Sequence, residues 1–215
     1  MLAQIKQKIE KAARGAGRLP RNITLIAVSK QQPEARIEAA LQAGIRIFGE
    51  NKVQEAQMRW HARRALYPDL HLHLIGPLQS NKAGDAVALF DVLQTIDRPK
   101  IAAALKAEMD KQHRQLPCFI QVNTGEEPQK AGIAPAELND FLAYCRKEIG
   151  LDICGLMCIP PIDEEVAMHF ALLKSLADRL ALPQLSMGMS GDFEEAIGFG
   201  ATHIRVGSAL FGSRY

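Results

Sequence analysis

Eight short apolar runs, most of them rich in β-branched residues, recur along the chain at 23–29, 45–49, 72–78, 92–96, 118–123, 153–159, 184–189 and 202–206. Runs of this length that are apolar on both faces predict strands covered on two sides, as in a parallel sheet. Most of the intervals between them carry apolar residues at helical spacing, over 34–43, 53–66, 80–89, 100–113, 136–149, 164–180 and 192–199. Pro33 and Pro135 sit near first turns, acidic residues follow Asp192, and Gly44 and Gly200 stand where a helix must stop. A further amphipathic helix is expected over 1–18, with Leu2, Ile5, Ile9 and Ala13 along one face. Alternation of strand and helix implies a parallel sheet covered by helices, and eight such units close a (β/α)8 barrel. An open doubly wound sheet is the alternative, but no Gly-x-Gly-x-x-Gly turn follows the first run. No linker rich in Gly, Pro or Ser breaks the rhythm, so the expected architecture is α/β, a single TIM-barrel domain over residues 1–215.

Charge and composition narrow the function classes. A formal net charge of +2, with no block of Lys or Arg interleaved with aromatics, gives no electrostatic case for nucleic acid. No stretch is apolar enough to span a bilayer, and the first residues lack the uninterrupted hydrophobic region of a secretory signal, so a cytoplasmic protein is expected. The four cysteines, Cys118, Cys145, Cys154 and Cys158, lie mostly in apolar segments and read as buried small hydrophobes. Cys154 and Cys158 lack the matching second pair that a metal site would use. No exposed apolar seam is evident, which makes a monomer the expected state.

In this fold functional groups gather where strands end, at the carboxyl face of the barrel. The first run leads into Lys30, and Gln32-Pro33-Glu34 then starts a helix. An amine held at the end of a buried strand can be desolvated and deprotonated, as a lysine must be before it attacks an aldehyde. The plainer reading is a charge that marks the return to water. Run two passes into Phe48-Gly49-Glu50-Asn51, and run three into Gly76-Pro77-Leu78-Gln79-Ser80-Asn81-Lys82, both polar clusters beside a glycine. Asn51 either hydrogen-bonds a ring substituent or caps the helix beginning near Val53, and Ser80 is expected to cap. His73 reads as a histidine satisfied within the barrel wall rather than as a base. The last two runs lead into Ser190-Gly191-Asp192 and Gly207-Ser208, and loops after strands seven and eight are the recurrent phosphate site of this fold. Lys30 and these two turns together ask for a ligand with an aldehyde and a phosphate. Pyridoxal 5′-phosphate carries both on one ring. A sugar phosphate in a Schiff-base aldolase carries them too, but no strand-end carboxylate pair accompanies Lys30.

Six motifs in order, Ala27-Val28-Ser29-Lys30, 48–55, 73–82, Gly155-Leu156-Met157, 185–190 and 205–212, resemble the pyridoxal phosphate homeostasis proteins, a group that shares the fold of the N-terminal barrel of alanine racemase. The resemblance implies that Lys30 forms the imine and Arg205 faces the pyridine nitrogen. It also implies that Ser190, Gly207 and Ser208 hold the phosphate while Asn51 and Met187 line the ring. Ser208 stands where the family often has threonine, Leu72 where it usually has an aromatic residue, and Gly191 near a usual hydroxyl or acid. The loop Thr124-Gly125-Glu126-Glu127-Pro128 also differs, and Lys130, which matches a loop lysine of the family, reads as a solvated charge. The function implied is a carrier that holds pyridoxal phosphate as a reversible Schiff base and buffers it or delivers it to apo-enzymes that depend on it. An arginine opposite the pyridine nitrogen stays charged and leaves that nitrogen unprotonated, which weakens the ring as an electron sink. The alternative is an amino-acid racemase-like enzyme, whose second base would be a tyrosine from a further domain. Here Tyr215 directly follows the barrel, and Tyr67 and Tyr144 fall in or beside predicted helices.

Overall fold

The computed structural model describes residues 1–212, among which eight strands close into one barrel in sequence order. They are β1 (Thr24–Val28), β2 (Ile47–Glu50), β3 (His71–Leu74), β4 (Val92–Ile96), β5 (Cys118–Val122), β6 (Ile153–Cys158), β7 (Gln184–Ser186) and β8 (His203–Val206). Every neighbouring pair is parallel, and β1 closes the ring by pairing with β8, Ile26 opposite Arg205 and Ala27 opposite Val206. The helices are α1 (Leu2–Gly15), α2 (Glu34–Gln42), α3 (Val53–Leu66), α4 (Ala83–Leu89), α5 (Pro99–Lys111), α6 (Leu138–Ala143), α7 (Val166–Arg179), α8 (Phe193–Gly198) and the short α9 (Ser208–Phe211). α1 precedes the barrel and packs on α8 and α9, burying Ile5, Ile9 and Ala13, the stripe its spacing predicts.

Outward residues of the strands meet the inner faces of the helices in one apolar cluster, where Phe48, Leu72 and Leu74 join Ile37, Leu41, Trp60 and Phe170. Each such side chain, removed from water, contributes about 1.5–3 kcal/mol. The lumen is different in kind. His73, Gln94, Ser186 and Arg205, from β3, β4, β7 and β8, are hydrogen-bonded to one another across it. Strands that far apart around a ring can join side chains in this way only through its interior. Val92, Phe119 and Met157 form a small apolar cluster apart from the main one.

Three boundaries differ from the pattern. β3 stops at Leu74 rather than Leu78, because Gly76-Pro77 leaves the ladder after Ile75 N donates to Glu50 O at 2.9 Å. β7 stops at Ser186 rather than Met189. The helix expected over 136–149 is α6 followed by a π-helical turn, Tyr144–Ile149. Ser80 does not cap: it begins a 3-10 turn, Ser80–Lys82, that no side chain caps. The four cysteines are free thiols, all but Cys154 fully buried, and burial pushes Cys145, Cys154 and Cys158 up to about 12. They therefore stay protonated and pack as small hydrophobes. Among the described residues no group of three or more His, Cys, Asp or Glu could hold a metal ion, and no helix is long and apolar enough to cross a membrane.

Candidate functional site

Lys30 lies just past β1, half-buried, in a segment that the rest of the barrel grips by its backbone. Arg59 of α3 donates from Nη1 to Ser29 O at 2.8 Å and from Nη2 to Gln32 O at 3.1 Å, one carbonyl on each side of the lysine. Glu50, fully buried at the end of β2, holds that arginine: its Oε1 accepts from Arg59 Nη1 at 2.8 Å, Ser29 Oγ at 2.7 Å and Trp60 Nε1 at 3.0 Å. Between the two gripped carbonyls Gln31 sits at φ 58, a left-handed turn that a side chain adopts only when its surroundings impose it. Neither Glu50 nor Arg59 carries a role in the sequence pattern. Glu50 stands in a quoted motif, but Arg59 reads as one of several surface charges on a helix, and only the fold brings them together.

The neighbouring strand delivers Arg205. It is 4% exposed, and burial lowers its pKa below the ordinary guanidinium value. Its Nη1 donates to Ser186 Oγ and its Nη2 to Cys158 O, both at 2.8 Å. Among the described residues no carboxylate lies within ion-pair distance of it, and its remaining N–H groups have no hydrogen-bond partner. Asp192 acts on it only from beyond ion-pair contact, and a buried cation with no direct ion pair fits a ligand that brings an acceptor to it.

Beyond β7 and β8 the backbone supplies donors. The amides of Gly207 and Ala209 converge on Ser190 Oγ, at 3.1 and 3.3 Å, so two N–H groups from one turn aim at a single oxygen from the other. Ser208 is exposed beside them. A Cβ on Gly207 would stand 3.5 Å from Val28 O, which places this turn against the end of β1 just before Lys30. Gly188, at φ 91, keeps the Ser190 loop close: a Cβ there would lie 2.5 Å from Ala196 Cβ. Two amides that converge on one oxygen, here that of Ser190, suit an oxyanion such as a phosphate in its place.

The structure thus brings Lys30, Arg205, Ser190, Gly207 and Ser208 to the joined ends of β1, β7 and β8. Asn51 follows β2, the strand beside β1 on its other side. α3 begins after Lys52 with no side-chain cap, so Asn51 does not cap it. It lines a cavity of about 570 Å³ with Lys52, Gln79, Lys82 and Arg98. Gly76 packs on the Asn51 backbone, where a Cβ would come within 2.3 Å of Asn51 O. Met187 is fully buried in the main apolar cluster, so its side chain supports the site from behind. His73 is buried, with Gln94 Nε2 2.9 Å from its Nδ1. Lys130 pairs with Glu127 at 2.5 Å within its own loop. Tyr67 donates to Glu38 at 3.1 Å and Tyr144 stacks on Phe141, while Tyr215 lies outside the described residues.

Comparison with known proteins shows the family. The profile of the alanine racemase N-terminal domain matches residues 1–215. The pyridoxal phosphate homeostasis protein of Escherichia coli K12 is 40% identical over 223 residues, covering 99% of this chain and 95% of that one. Its counterpart in Pseudomonas aeruginosa is 42% identical over 220 residues, covering 99% and 94%. Among solved structures, PipY of Synechococcus elongatus PCC7942 with PLP bound is 39% identical, with a TM-score of 0.81, covering 95% of this chain and all of that one. An alanine racemase of Clostridium difficile, 13% identical with a TM-score of 0.72, covers 97% of this chain and 56% of that one and shows the shared fold alone. The chain therefore belongs to the alanine racemase N-terminal domain family and, within it, to the pyridoxal phosphate homeostasis proteins.

Proposed function

We propose that this chain, as a single barrel domain, binds pyridoxal phosphate at the carboxyl mouth and acts as a cytoplasmic, monomeric carrier that buffers the cofactor and passes it to apo-enzymes. The observation that carries this reading is the juxtaposition of a gripped lysine, an unpaired buried guanidinium and a converging set of donors at three joined strand ends. The names of its relatives and the PLP-bound structure of PipY support it.

Lys30 presents its amine from a backbone fixed on both sides. Ser190, Gly207 and Ser208 would hold the phosphate, and Asn51 would border the ring from the β2 side while Met187 backs it. When bound, the cofactor would supply an aldehyde for Lys30 Nζ, the amine condensing with it reversibly with loss of water. Arg205 donates a hydrogen bond to the ring nitrogen and keeps its own proton, so no acid protonates that nitrogen. Removal of a substrate proton on one face and return on the other needs a second base. Neither Tyr67 nor Tyr144 reaches the mouth, which favours holding over turnover.

Purified protein mixed with pyridoxal phosphate should develop a visible band that borohydride bleaches, with the added mass on the peptide containing Lys30. Incubation with single-enantiomer amino acids in deuterated water separates the rival: α-deuterium appearing at an enzymic rate would establish racemase-like catalysis. Arg205→Met should leave the apo-protein within about 1 kcal/mol of the parent, because the lost hydrogen bonds are offset by removal of an unpaired buried charge. The same variant should bind the cofactor roughly 10- to 100-fold more weakly, the worth of one hydrogen bond to a charged donor. Unchanged affinity by titration calorimetry would remove Arg205 from the site.

A further inference from the structure

The lumen of the barrel holds a row of polar side chains that the cofactor reading leaves without a role. Arg205 Nη1 lies 2.8 Å from Ser186 Oγ, Ser186 Oγ 2.6 Å from Gln94 Oε1, Gln94 Nε2 2.9 Å from His73 Nδ1, and His73 Nε2 3.4 Å from His71 Nδ1. Ser186 and Gln94 are fully buried and His73 is 2% exposed, whereas His71 is exposed. The row therefore runs from the cofactor end to a pocket at the opposite face, lined by Thr24, Arg46, His71 and His203 among others.

The placement of the Gln94 amide sets the direction of the row. Arg205 can only donate, so the Ser186 oxygen accepts from it and its single O–H goes to Gln94 Oε1. The Gln94 amide then presents its NH₂ to His73 Nδ1, which must be an unprotonated acceptor. The one proton of that ring is left on Nε2, facing His71. Burial holds His73 well below the usual histidine range, in keeping with a neutral ring. With the Gln94 oxygen toward Ser186 and its NH₂ toward His73, every bond points away from Arg205. Linked bonds with one sense polarise one another in a low-dielectric interior. Cys158 O, which accepts from Nη2 at 2.8 Å, fixes the other edge of the guanidinium.

We propose that Ser186, Gln94 and His73 are positioning residues that hold the Arg205 guanidinium in one orientation, so that its remaining N–H groups face the ring of the bound cofactor. The proposal rests on the cofactor reading above. Gln94→Leu keeps the bulk and removes both bonds. Gln94→Glu keeps the acceptor for Ser186 and can keep the second bond by accepting from His73 Nδ1–H, the ring proton moving from Nε2 to Nδ1.

The test compares parent, Gln94→Leu, Gln94→Glu and Ser186→Ala proteins loaded with pyridoxal phosphate. The readouts are the visible absorption maximum, the rate of cofactor release to an excess of apo-enzyme, and borohydride labelling of Lys30. Expected in Gln94→Leu and Ser186→Ala are full labelling of Lys30, a shifted absorption maximum and release about tenfold faster, as for loss of a bond to a charged group. Gln94→Glu should return both readouts toward the parent. A role in packing alone would lower thermal stability and leave the absorption maximum in place. A folded Gln94→Leu protein with the parent's maximum and release rate overturns the proposal, as does an equal shift in the Leu and Glu variants. Should Gln94→Leu fail to fold, Ser186→Ala decides on the same readouts. In the apo-protein, ¹⁵N NMR should find His73 neutral with its proton on Nε2, and a proton on Nδ1 overturns the direction assigned to the row. Absence of labelling in the parent overturns the cofactor reading itself, a result seen before any variant is compared.

Discussion

Replacing Lys30 by alanine is expected to abolish the visible band and all borohydride labelling at that position while leaving the fold intact. The lysine side chain is half-buried in a loop, and the bonds that fix the loop run through the backbone carbonyls of Ser29 and Gln32, which alanine retains. Thermal stability should therefore move by no more than about 0.5 kcal/mol. The turn donors and Arg205 remain, so non-covalent binding should persist, weaker by on the order of 100-fold, or about 2.7 kcal/mol. Titration calorimetry and intact mass after borohydride check both statements. An undiminished band in Lys30→Ala, with the mass on another lysine, would reassign the covalent site.

Glu50→Ala should produce the largest loss of stability of any change at the site, about 3–5 kcal/mol. The carboxylate is fully buried and Arg59 has a side chain only 12% exposed, so alanine leaves that cation with the exposed Glu34 as its one remaining carboxylate partner and takes the acceptor from two further donors, Ser29 Oγ and Trp60 Nε1. For a chain of this size that corresponds to a fall in Tm of roughly 10 °C. Glu50→Gln, which keeps one acceptor oxygen, should lose less than half as much. Because Arg59 grips both sides of Lys30, the alanine variant should also exchange the Gln32 amide faster, and its labelling by pyridoxal phosphate should slow. Thermal melts and hydrogen exchange measure the two effects separately. A Glu50→Ala protein as stable as the parent would mean that the grip does not depend on this carboxylate.

Much of this could be read from the sequence, for a physical reason. Alternation of two-sided apolar runs with helical spacing reports burial, and burial in a barrel is set by the same alternation, so all eight strands appear where the runs predict. The ends of strands are less legible. Ile75 beyond β3 and Met187 beyond β7 each keep one cross-strand bond outside the strand, and Leu78 is as buried as a strand residue but lies off the ladder, since apolar pattern records exclusion from water and is silent on hydrogen bonding. Lys30 and Arg205 stand out because a polar residue near the end of an apolar run is conspicuous. The Glu50–Arg59 grip and the Gln94–His73 row are not conspicuous. Their partners come from separate elements and meet only after the ring has closed, and no local spacing encodes that meeting.

The seam between β7 and β8 bears on how a ligand enters and leaves. β7 is only three residues long and pairs with β8 at Ser186 opposite His203. The stitching is carried on by the loop itself, where Met187 N donates to His203 O at 3.1 Å and Arg205 N to Gly188 O at 2.9 Å. The segment that leads to Ser190 is thus part of the wall that keeps the barrel shut. It cannot swing aside as a flap without unzipping the cylinder, so the side proposed for the anion is a fixed jaw. Open volume lies instead beside Asn51, where the loops after β2 and β3 line a cavity.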